Sequence, residues 1–93
     1  MLASLRGVEM GELQKLNNIG KKLEKQLNEI GIYTYDDLVN CGSQEAWLKI
    51  KEKDTSACIN RLMALEGAIQ NIRWHNLSEK DKKYLKDFYE SNK

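Results

Sequence analysis

Ninety-three residues, 41% apolar and 31% charged, describe a single globular domain, since a usual domain runs to about 100–200 residues. Fifteen basic against fourteen acidic side chains leave a net charge of +1, which excludes a global field able to draw in nucleic acid or an anionic membrane. Any anion site must come from local geometry.

Residues 1–11 read as an N-terminal extension, too short and too polar for a signal peptide or a membrane span. The domain proper is expected over residues 12–91. Proline is absent, so Gly, Asn and Ser must end the helices. A first helix is expected over 12–18 with Leu13 and Leu16 inward. A tight turn follows at Asn18-Ile19-Gly20, where Gly20 is expected to take a conformation that most side chains forbid. Leu23, Leu27 and Ile30 recur at helical spacing and predict a second helix over 21–29. Together these pieces form a helix-hairpin-helix (SAM-like) unit.

Thr34, followed by Asp37 three residues on, has the spacing of a capping box and opens a third helix over about 35–41. Ser43 is expected to cap a fourth over 44–53, with Trp47, Leu48 and Ile50 available to the core. Thr55 or Ser56 would open the longest helix, 56–73. Its seam is Cys58, Leu62, Leu65, Ile69 and Ile72, at spacings of four and three residues. Gly67 in mid-helix costs roughly 1 kcal/mol against Ala, which predicts close approach of another helix there. Ser78, with Asp81 at the capping-box position, opens a last helix carrying Tyr84, Leu85 and Phe88 on one face. No segment longer than four residues reads as a strand. The fold class is all-α, a bundle of five to six helices. Leu16–Gly20 and Leu38–Gly42 share Leu-x-Asn-apolar-Gly; two stacked hairpins and chance similarity both explain the echo.

Catalysis finds little footing. A nucleophile needs a base within hydrogen-bond reach, and His75 is the single histidine, set in a loop-like stretch. Asp36 and Asp37 adjoin, but neighbours on a helix point about 100° apart, and they complement a helix N-terminus instead. Cys41, Cys58 and His75 cannot close a four-ligand zinc site, so no metal and no cofactor is expected. The two cysteines read as buried reduced thiols of a cytoplasmic protein. No small-molecule substrate is indicated.

Two surfaces remain. Around Asn18, Ile19 and Gly20, the amides of Gly20, Lys21 and Lys22 open a helix and lack intrahelical acceptors. With Lys21, Lys22 and Lys25 they could hold a DNA backbone phosphate without reading bases; packing and solvation explain the same residues. Trp74, Tyr84, Phe88 and Tyr89 could instead meet a protein partner, including a second copy of the chain.

The hairpin ending in Asn18-Ile19-Gly20 resembles the C-terminal domain of the TfoX (Sxy-type) regulators of DNA transformation. So do Gly31-Ile32 followed by Thr34 and Asp37-Leu38, and above all Ala64-Leu65-Glu66-Gly67-Ala68-Ile69 and Ile72-Arg73-Trp74-His75 with Leu77. The resemblance spans about residues 12–89. It implies a bacterial, all-α, helix-hairpin-helix-like domain without an established catalytic site, with a role around competence regulation or protein–nucleic acid association. Two departures qualify it: family members often carry proline where this chain has Lys21, and the competence regulators place a further domain ahead of this one. The expectation is therefore a stand-alone copy of the C-terminal domain.

Overall fold

A computed structural model describes residues 12–93; the expected extension over 1–11 lies outside them. Among the described residues the fold is all-α, with no strand. The α-helices are α1 (Lys21–Glu29), α2 (Tyr35–Cys41), α3 (Ser43–Lys53), α4 (Ile59–Gln70) and α5 (Glu79–Asn92). Two short 3-10 turns, Leu13–Lys15 and Trp74–Asn76, complete the order. α3 packs chiefly on α4, and α4 in turn carries α5.

The core follows from the apolar periodicity. Leu13, Leu27, Leu38, Trp47, Ile50, Leu62, Leu65 and Leu85 are fully buried, and they draw one side chain or more from every α-helix. Trp47 is the largest of them. Its ring meets Phe88 and Tyr89 of α5 edge-on at centroid distances of 6.1 and 5.6 Å, an arrangement that aromatic quadrupoles favour. Its indole N–H donates to the Cys58 carbonyl at 3.2 Å, and the Lys51 ammonium lies 5.4 Å from the ring centroid. Lys51 also donates to the backbone carbonyl of Asn92, tying the end of α5 to α3.

The capping box at α2 forms as expected. Asp37 N–H donates to Thr34 Oγ1 at 3.0 Å, while Thr34 N–H returns a bond to Asp37 Oδ2 at 3.2 Å. Ser78 Oγ likewise accepts from Asp81 N–H at 3.0 Å to open α5. α1 and α4 both end in Schellman turns. Ile32 N–H reaches Leu27 O and Ile72 N–H reaches Gly67 O, each at 2.9 Å. Asn71 supplies the left-handed residue of the second turn, with φ 62°.

Several boundaries differ from the sequence reading. The expected helix over 12–18 is only the 3-10 turn Leu13–Lys15, so the hairpin unit has one true helix. Gly20 is extended, with φ −101° and ψ −170°; the left-handed residue is Asn18, with φ 73°. Asn tolerates that conformation, and here its side chain is anchored elsewhere in the fold. The expected helix over 56–73 contracts to Ile59–Gln70, leaving α5 the longest. Asp54 delays its start: the carboxylate accepts from Ser56 N–H at 3.0 Å and holds that stretch in a turn. Cys58 consequently caps α4 and is exposed instead of heading its seam. The Leu38–Gly42 echo carries no shared conformation, since Asn40 is helical where Asn18 is left-handed.

Ser43 does not cap α3. It is the first helical residue, buried, and Gly42 holds the cap position. Gly42 ends α2 through its N–H bond to Leu38 O at 2.8 Å and begins α3 by accepting from Ala46 N–H at 3.1 Å. One residue thus joins two helices, at φ 87° and ψ 153°, a region open essentially to glycine alone.

Candidate functional site

The hairpin residues divide into two groups. Ile19 is buried, and the Asn18 side chain is consumed by the fold. Its Nδ2 donates to the carbonyls of Ile72 at 3.0 Å and Ala64 at 3.4 Å, and its Oδ1 accepts from Trp74 N–H at 3.1 Å. Gly20, Lys21, Lys22 and Lys25 are exposed. The first intrahelical bond of α1 runs from Glu24 N–H to Gly20 O at 3.0 Å, so the amides of Lys21 and Lys22 precede the ladder. Glu24, on the same turn, is 5% exposed. Its carboxylate accepts from Leu13 N–H at 3.1 Å and from Gln14 Nε2 at 2.6 Å, holding the 3-10 turn against α1.

Gly67 explains why Asn18 fits where it does. A Cβ there would meet Asn18 Nδ2 at 2.5 Å, Ile72 O at 2.9 Å and Trp74 Cα at 3.1 Å. The close approach expected at Gly67 is therefore real, but what approaches is a side chain and a returning backbone segment, not another helix.

The four aromatic residues are not brought to one place. Trp74 is half-buried against the core and stacks on His75, with centroids 4.0 Å apart and planes at 28°. Tyr89 is half-buried against Trp47. Tyr84 and Phe88 do share a feature: both line a groove of about 420 Å³ between the start of α3 and the face of α5. Leu48 and Leu85 add apolar lining, and Cys41 and Gly42 line it as well. Burial pushes the Cys41 thiol above its ordinary pKa.

Among the described residues the charged groups lining this groove are Glu45, Glu66 and Asp81, contributed by three different helices. Ser43 Oγ donates to Glu66 Oε1 at 2.6 Å. Gln70 Nε2 donates to Glu66 Oε2 at 2.7 Å and to Asp81 Oδ2 at 3.0 Å. That network positions Glu66 and Asp81, and sequence reading missed it because two of its three bonds span 11 and 23 residues. Among the described residues no group of three or more His, Cys, Asp or Glu is arranged to hold a metal ion.

The family model described as the TfoX C-terminal domain matches residues 9–89. The chain belongs to this family. Its TfoX C-terminal domain is similar to two solved structures from Listeria monocytogenes. An uncharacterized protein in a triclinic form is 52% identical, with a TM-score of 0.84 over 85% of this chain and 90% of that one. A protein of unknown function in a tetragonal form is 51% identical, with a TM-score of 0.85 over 87% of this chain and 99% of that one. No curated protein matches the chain. Among the described residues of the TfoX C-terminal domain, no helix is long and apolar enough to cross a membrane.

Proposed function

We propose that this domain is a non-catalytic protein-interaction module with a regulatory role, acting in the cytoplasm through the groove between α3 and α5. Tyr84 carries the reading. It is 62% exposed beside the groove, against 42% for Tyr33 and 43% for Val39, the other exposed large apolar side chains among the described residues. An exposed aromatic beside an apolar, acid-lined groove fits the anatomy of a protein-binding patch. Membership of a family of DNA-transformation regulators supports the regulatory part, and two free thiols, Cys41 and Cys58, support a reducing compartment. The test compares partner capture by the wild-type chain and by Tyr84→Ser, each with its helical content verified. Capture that depends on Tyr84 supports the reading; capture indifferent to the substitution removes it from this groove.

A second reading rests on Gly20, Lys21, Lys22 and Lys25, which are exposed on the first turn and a half of α1. With the amides that precede the ladder they could contact DNA phosphates without sequence preference. Binding should weaken steeply with salt and vanish in Lys21→Glu with Lys22→Glu. Undetectable binding at low salt, or binding unchanged in the double variant, eliminates it.

A further inference from the structure

We infer that the occupant of the groove between α3 and α5 is a second copy of this chain, docked face to face about a two-fold axis. This inference rests on the interaction reading above and names its partner.

The groove's lining selects an element of a particular kind. Among the described residues its charged groups are the carboxylates of Glu45, Glu66 and Asp81, and no lysine or arginine lines it. Leu48, Leu85 and Phe88 supply the apolar floor. A complementary element therefore presents an aromatic or aliphatic anchor flanked by cations. α5 is such an element. Tyr84 is its most exposed apolar side chain. Lys80 lies one turn earlier on the same stripe, and Lys83 adjoins it; both are exposed. The 3.3 Å pair between Lys83 and Asp87 is itself exposed and holds Lys83 only weakly.

The acidic groove and the stripe of Lys80, Lys83 and Tyr84, which also carries the exposed Asp87, occupy neighbouring strips of one surface, because α5 contributes to both. A two-fold axis is the symmetry under which a single patch satisfies itself. In that arrangement Tyr84 of each copy enters the groove of the other, while Lys80 and Lys83 face Glu45 and Asp81 across the junction. Ser43 and Gln70 hold Glu66 and Asp81 by hydrogen bonds before the second copy arrives, so little ordering is left for the encounter.

Sedimentation equilibrium of the whole chain, from micromolar to about 1 mM and at low and high salt, tests this. A dimer mass that grows with concentration and weakens with salt is expected. Tyr84→Ser should raise the dissociation constant about tenfold or more without changing helical content, since Tyr84 is exposed. Glu45→Lys and Lys83→Glu should each impair self-association alone, and their equimolar mixture should restore it. A monomer at the highest concentration and low salt overturns the inference, as does a dimer indifferent to all three substitutions. If such a monomer still captures another protein through Tyr84, the interaction reading stands and only the second copy is lost. If Tyr84-dependent capture is absent as well, both fall.

Discussion

The Asn18 amide nitrogen lies 2.5 Å from where a Cβ on Gly67 would stand, so the two residues are a matched pair across the junction of the N-terminal turn and α4. Gly67→Ala should destabilise the fold by about 1–3 kcal/mol through overpacking. Asn18→Ala should cost about 1–3 kcal/mol by leaving the Trp74 N–H and the Ile72 carbonyl without their partner. The double variant should lose less than the sum, with a coupling of about 0.5–3 kcal/mol. Urea unfolding of the four proteins measures the cycle, and strict additivity would refute the pairing.

Asp54 predicts an acid-sensitive limb. Its carboxylate accepts from Ser56, Gln26 and Arg61, which hold its pKa well below the usual carboxylate range. A carboxyl whose folded pKa is depressed contributes stability that is fully present above its unfolded value. That contribution is lost as pH falls from about 4 towards the lower folded value. Urea midpoints should therefore drop over that window in the wild type and drop less in Asp54→Asn. Parallel curves would show that the hub has no net linkage to protons.

Helix capping gives a local prediction. Thr34→Ala removes the side-chain oxygen that accepts Asp37 N–H and should lower stability by about 0.5–2 kcal/mol. Ser78→Ala should act in the same range at α5, where the Asp81 N–H loses its acceptor. Thermal unfolding followed by circular dichroism resolves either change, and a shift indistinguishable from zero would mean solvent replaces the cap fully.

The two thiols should separate in reactivity. Cys58 is exposed, whereas Cys41 is half-buried with its pKa raised by desolvation. Iodoacetamide in mild excess at pH 8 should modify Cys58 first, and Cys41 should follow only at higher pH or on unfolding. Mass spectrometry of tryptic peptides over time checks the order; equal rates would contradict the burial of Cys41.

Trp47 anchors α3 to α5 through Phe88 and Tyr89. Trp47→Ala should cost about 3–5 kcal/mol, enough to threaten a domain of this size. Tyr84→Ser on the same pair of helices should leave the unfolding midpoint nearly unchanged. Comparing the two separates what holds the bundle together from what faces outward.

Legibility in the sequence tracked how local each cause was. Thr34 with Asp37, Ser78 with Asp81, and the Leu62–Leu65 seam could be read because caps and helical faces act within one turn. Asn18 could not, because its left-handed conformation is held by groups 46 to 56 residues away. Gly20 offered itself in its place, since glycine is the commoner residue with positive φ. The burial of Glu24 was hidden for a related reason: a glutamate on a helix is ordinarily solvated, and nothing nearby in the chain announces that Leu13 and Gln14 will claim it. Of the groove, Tyr84 and Phe88 were visible as a stripe on one helix. Its carboxylates were not, because they converge from three helices only when the bundle closes.

Asn18 also sets an order of events during synthesis. Each of its three acceptors and donors belongs to the last third of the chain, which leaves the ribosome long after residues 12–20 have emerged. A nascent chain halted before Ala64 lacks all three partners and keeps only the Glu24 bonds to Leu13 and Gln14, so this turn is made early and locked down late.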